Sequence, residues 1–126
     1  MHAEDQSLKN QRFLRRVGFA ATGLRFAAAN ERSFRSQLGL GLGLLVALVW
    51  LRPPAVWWGL CLLASGLVVT AELVNTALEQ ALDGLHPGPH EGIRIAKDCA
   101  AGAVLLASLT ALAIGALTVL VAIGMI

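Results

Sequence analysis

The sequence predicts an all-α membrane protein, with an amphipathic surface helix over residues 7–29 followed by transmembrane helices over 33–51, 55–83 and 94–124, all within one domain, 1–126. Three observations carry this expectation. Hydrophobic residues make up 56% of the chain and charged ones only 14%, against about 25% charged in an ordinary soluble domain. Three stretches, 38–51, 53–71 and 99–126, contain no charged residue at all. Seven of the ten Lys and Arg residues precede the first of these stretches, an asymmetry characteristic of chains oriented by a bilayer.

Over 7–29, apolar Leu8, Phe13, Leu14, Val17, Phe19, Ala20, Ala21, Leu24 and Phe26 interleave with Lys9, Arg12, Arg15, Arg16 and Arg25. Such a helix lies on a membrane surface, its basic side drawn to anionic headgroups, and the same side suits a polyanionic ligand. No continuous apolar h-region opens the chain, so no cleavable signal is expected and the N-terminus stays on the side of synthesis.

A bilayer core needs about 20 apolar residues per helix. The second and third stretches meet this directly; the first does so only if its helix begins near Ser33 and Arg35 snorkels to the headgroups. Pro53 and Pro54 end that helix, and Trp50, Trp57 and Trp58 form an interfacial belt. A loop over 84–92 carries Pro87 and Pro89. With Arg94 and Lys97 beside this loop, the positive-inside rule puts it and the N-terminus in the cytoplasm.

Gly39, Gly41 and Gly43 are not a phosphate-binding loop, because no Lys-Ser or Lys-Thr follows and the tract lies inside an apolar span. They read as close helix approach. Protein-kinase signatures are absent from the sequence as well. Cys61 and Cys99 fall in or beside apolar helices and read as packing residues.

The segment 71–79 places two carboxylates and an amide at the end of a span. Glu72, Asn75 and Glu79 share one helix stripe, with Glu72 about 10 Å deeper than Glu79. An acid inside a membrane helix is a functional hypothesis by default. The deeper Glu72 suits proton abstraction from a lipid hydroxyl; Glu79 suits a metal near charged phosphates. Glu31 and the neighbours Lys97 and Asp98 are expected at the same depth, and hard oxygen donors with nearby cations suit a Mg-nucleotide. Taken singly, Asn75 reads equally well as a helix-packing amide, Glu31 as a solvated turn residue, and Lys97-Asp98 as an interfacial ion pair.

Asn30-Glu31-Arg32-Ser33-Phe34-Arg35, Glu72-Leu73-Val74-Asn75-Thr76-Ala77-Leu78-Glu79, and His90-Glu91 followed by Ala96-Lys97-Asp98 resemble, in order and spacing, the three signature segments of the prokaryotic diacylglycerol kinase family. The resemblance covers nearly the whole chain and implies a homotrimer with active sites shared between neighbouring protomers. It also implies roles. Glu72 would be the general base and Asn75 would orient the site, while Glu31 and Glu79 would coordinate Mg²⁺. Arg12, Phe19, Gly88, Pro89, His90, Lys97 and Asp98 would line the ATP site together with those two glutamates, although Phe19 stands where the family often has tyrosine and the Gly88-Pro89 loop is atypical. Lipid contacts, assigned by position alone, would fall to Arg16 through Ala21, Arg25 through Ala28, Ser33, Phe34, Arg35, Gln37 and Ala101, with Glu72.

The resulting expectation is ATP-dependent phosphorylation of 1,2-diacylglycerol to phosphatidate at the cytoplasmic face of a bacterial inner membrane, with Mg²⁺ and no nucleic-acid partner. The undecaprenol kinase branch of the same family shares the chemistry, and residues 96–105 lean toward it, whereas Asn30-Glu31 and the basic N-terminal helix lean toward diacylglycerol. A small proton-coupled exporter is the remote alternative. It needs one membrane glutamate, but not the cytoplasmic group of Glu31, Glu79, Lys97 and Asp98.

Overall fold

A computed structural model describes residues 2–126, with side chains described from Ser7 onward. The described residues form four helices: α1 (His2–Asn30), α2 (Arg32–Leu51), α3 (Ala55–Leu85) and α4 (Glu91–Ala122). The last three are each long and apolar enough to cross a membrane. The 20 residues of α2 span about 30 Å, the thickness of a hydrocarbon core. The 31 and 32 residues of α3 and α4 reach about 47 Å, so their ends project past it.

Local chemistry sets each junction. Glu31 alone separates α1 from α2; its backbone is extended (φ −103°, ψ 113°) and its side chain makes no cap bond. Open carbonyls at the end of α1 are taken instead by Arg35 Nη1, which donates to Ala28 O and Ala29 O at 3.0 Å each, while Asn30 Nδ2 folds back to donate to Phe26 O at 2.9 Å. A cation there also complements the helix dipole. After α2, Arg52 adopts left-handed backbone (φ 48°, ψ 52°) and its N–H caps Leu48 O, before Pro53 and Pro54 forbid further helix.

The α3–α4 connection is shorter than the 84–92 expected, because α3 continues to Leu85 and α4 begins at Glu91. Two histidines close it. His86 Nδ1 donates to Gly88 O at 3.2 Å, and His90 Nδ1 accepts from Gly92 N–H at 3.1 Å, capping α4. Their rings meet edge to face with centroids 5.3 Å apart.

The helices pack mainly as an α3–α4 pair with α2 against α3, and among the described residues α1 rests on α2 and α3 without touching α4. Cys61, Ala64, Val68, Glu72 and Thr76 form the buried face of α3, spaced three or four residues apart as one stripe requires. Elsewhere apolar side chains face outward, Leu62, Leu106 and Leu112 being 76%, 68% and 70% exposed. Lipid tails are as apolar as leucine, so such surface costs nothing in a bilayer and helix association rests on fit and polar bonds. Among those bonds, the Cys61 thiol approaches Thr118 Oγ1 at 3.3 Å, and Thr118 donates to Ile114 O at 2.7 Å.

Two packing expectations are corrected. A Cβ at Gly39, Gly41 or Gly43 would meet no atom within 4 Å, so the glycines do not serve close approach inside the protomer. Cys99 is exposed, and only Cys61 is packed. Both thiols are free.

Candidate functional site

The site begins where α1 ends, α2 starts and both lean on α3. Glu72 is 3% exposed there. Its Oε2 accepts a 2.9 Å hydrogen bond from Ser33 Oγ in the first turn of α2, and this is the only hydrogen bond to its carboxyl among the described residues. Thr76, one turn along, is also buried. Asn75 is half-buried, and its Oδ1 is shut away from solvent with no partner among the described residues. An unmade hydrogen bond of this kind costs about 1–3 kcal/mol, and buried polar groups are as a rule paired, with protein or with ordered water.

The acids divide cleanly. Asp83 pairs with Lys97 across the α3–α4 neck; Glu91 and Asp98 both hold Arg94, at 2.6 and 2.7 Å; Glu72 holds Ser33. Glu31 and Glu79 are half-buried, and among the described residues neither carboxyl has a hydrogen bond or ion pair. No group of three or more His, Cys, Asp and Glu able to hold a metal occurs among the described residues. A site for Mg²⁺ therefore fits only in the form that ion commonly takes, one or two carboxylates plus substrate phosphates, and the two uncommitted glutamates have the right chemistry.

Several sequence expectations change. Lys97 and Asp98 do not pair with each other, since successive helix residues point about 100° apart; each takes a partner three or more residues away. Phe34, expected at the lipid, is 2% exposed and packs inside the protomer. Arg35 is occupied by the α1 carbonyls. Gln37 is half-buried and donates to Ser108 Oγ on α4 at 3.4 Å. Arg12, Arg16, Phe19 and Arg25 lie exposed along α1, Ala101 is exposed on α4, and Ala21 and Ala28 are half-buried. Gly88, Pro89 and His90 are exposed in the loop. Among the described residues α1 and α4 make no close backbone approach, so Arg12 and Phe19 do not pack against Lys97 and Asp98 within one protomer.

Two residues escaped sequence reasoning. Asp83 extends the Glu72, Thr76, Glu79 stripe by one more turn, a 4-3-4 spacing that was there to be read. Ser33 as the partner of Glu72 was not legible, because the two lie 39 residues apart and only the tertiary fold joins them.

Two apolar grooves flank the site. One of about 460 Å³ lies between α3 and α4, lined by Leu67, Ala71, Val74, Asn75, Ala103 and Ala107 among others. Another of about 920 Å³ runs between α2, α3 and α4 from Gln37 and Ser108 past Leu44 and Val68 to Trp58 and Val119.

Against known proteins, residues 18–119 match the family described as prokaryotic diacylglycerol kinase. A diacylglycerol kinase of Synechocystis is 41% identical over 98 residues, which are 77% of this chain and 56% of that longer protein. A diacylglycerol kinase of Escherichia coli K12 is 34% identical over 103 residues, 79% of this chain and 82% of that one. An undecaprenol kinase of Bacillus subtilis is 28% identical over 117 residues, 93% of this chain and 95% of that one. Membrane-spanning helices, a buried glutamate on the middle span and these matches converge: the chain belongs to the prokaryotic diacylglycerol kinase family.

Proposed function

We propose that this protein transfers the terminal phosphoryl group of ATP to the primary hydroxyl of 1,2-diacylglycerol, forming phosphatidate at the cytoplasmic face of a bacterial inner membrane. The observation that carries the reading is the division of the acids: one buried carboxylate held by a single hydroxyl, and two half-buried ones with no partner among the described residues. Phosphoryl transfer asks for positioning and charge neutralisation more than for covalent help. Glu72 takes the proton of the lipid hydroxyl. Glu31 and Glu79 supply two carboxylates for Mg²⁺, which when bound neutralises charge on the phosphate oxygens. Lys97 and Arg12 add positive charge, and Asn75, one turn from Glu72 on the same helix stripe, orients the site. Gly88, Pro89 and His90 close the nucleotide side, and α1 keeps the lipid side at the headgroups.

Separation of α1 from α4 among the described residues supports a nucleotide site completed by the surface helix of another copy, as in the homotrimer that the family resemblance implies. Nine of the ten basic residues lie in the N-terminal segment or beside the α3–α4 loop, which supports a cytoplasmic placement for both.

A second reading, phosphorylation of undecaprenol, is favoured by the extent of the Bacillus match, which covers nearly all of both chains. One assay separates the two: purified protein in detergent with radiolabelled ATP and Mg²⁺, offered diacylglycerol and undecaprenol side by side. The proposal expects labelled phosphatidate as the faster product. Faster labelling of undecaprenol establishes the second reading, and labelling of neither lipid removes both.

A further inference from the structure

We infer that Ser33 is a positioning residue for Glu72, a hydroxyl that fixes the orientation of the base rather than a contact to the lipid. The inference rests on the proposed role of Glu72 and names a residue that role needs.

A glutamate has three side-chain torsions, and a base displaced by an ångström loses much of its effect. Glu72 is almost wholly buried, yet the only hydrogen bond to its carboxyl among the described residues is the one from Ser33. The hydroxyl of Ser33 has one proton, and it is given to Oε2. A carboxylate has two oxygens and about four acceptor positions, so Oε1 is left for the hydroxyl of the substrate. Ser33 itself is exposed while Glu72 is not, which puts the bond at the mouth of the buried site, where an incoming lipid hydroxyl must arrive. The bond also crosses helices. Glu31 is the N-cap of α2 and Ser33 lies two residues on, so a tether from Ser33 to α3 fixes the start of α2, and Glu31 with it, against the helix that carries Glu72 and Glu79.

The test compares Ser33→Ala and Ser33→Thr with wild type in the full-length protein, with lipid phosphorylation, Mg-ATP binding and thermal stability in detergent all measured. Ser33→Ala is expected to lower kcat about tenfold or more, the scale of one hydrogen bond to a charged group, with the KM for ATP and for lipid changed less than about twofold. Ser33→Thr keeps the hydroxyl and is expected to retain most of kcat. Combined with Glu72→Gln, Ser33→Ala is expected to cause no further loss, because a residue acting through Glu72 has nothing left to position. An unchanged kcat in Ser33→Ala, a rise confined to the lipid KM, or full additivity with Glu72→Gln overturns the inference. Glu72→Gln with wild-type kcat instead overturns the proposed role of Glu72, so the two failures are distinct. A lower melting temperature, together with an equal loss in the alanine and threonine variants, also overturns it by making Ser33 a packing residue.

Discussion

Replacing Glu79 with glutamine probes the metal site with little structural disturbance. Glu79 is half-buried on α3, and its carboxyl makes no hydrogen bond or ion pair among the described residues, so Glu79→Gln breaks no polar bond there, keeps side-chain volume and preserves a good helix former. The expected change in stability is therefore within about 0.5 kcal/mol, as for substitutions away from any named structural feature. The metal side is different. One of two proposed anionic ligands becomes a neutral amide, and changes one shell further out already weaken metal binding by about 10- to 100-fold. Apparent Mg²⁺ affinity is expected to fall by at least that range. Initial rates of lipid phosphorylation at fixed ATP, titrated with Mg²⁺, measure it: the variant should be poorly active at the wild-type optimum and partly restored at higher Mg²⁺. A Mg²⁺ dependence identical to wild type, with any loss appearing only in maximal rate, refutes Glu79 as a ligand.

Lys97→Met is expected to raise the KM for ATP several-fold with little loss of stability, because an exposed ion pair such as Lys97–Asp83 contributes only about 0–1 kcal/mol; an unchanged KM removes Lys97 from the nucleotide site. Asn75→Ala is expected to lower activity at least about tenfold while leaving the thermal midpoint in detergent unchanged or raised, since removing an Oδ1 without a partner also removes its burial cost of about 1–3 kcal/mol; a large fall in stability makes Asn75 a packing residue. A cysteine at Gly88, in a background without Cys61 and Cys99, is expected to resist an impermeant thiol reagent in intact cells and to react in inverted vesicles, and labelling in intact cells reverses the topology.

What could be read beforehand depended on how local the cause was. Three charge-free stretches and a double proline fix three spans and the first turn, because span length and proline geometry act within a few residues. The stripe of Glu72, Asn75 and Glu79 was legible for the same reason, helix periodicity being a property of sequence alone. The loop was overestimated at both ends, since glycine and proline near 84–92 suggested a break that helix extension to Leu85 and the His90 cap then narrowed. Partners were the least legible. Lys97 chose Asp83 over its neighbour Asp98 because facing helices, not adjacent positions, bring charges together. Arg35, placed at the lipid by position, is taken up by the α1–α2 junction, whose single-residue break leaves carbonyls that a nearby guanidinium satisfies, and Phe34, placed there too, is buried. The open space around Gly39 and Gly43 shows the same limit: a small-residue pattern marks where a helix can be approached, and only the fold decides whether anything approaches it.

The role of Glu72 as the base is decided by the rate of the Glu72→Gln variant. The amide keeps the volume of the side chain and an oxygen to accept from Ser33, so the protein should fold and bind Mg-ATP as wild type does. A general base contributes about 10²- to 10⁴-fold in rate, and a loss of that size is expected in kcat for lipid phosphorylation, with the KM for ATP little changed, as when only the transition state loses an interaction. Retention of more than about a tenth of wild-type kcat, well above the residue that range allows, contradicts the account and makes the buried glutamate a structural group.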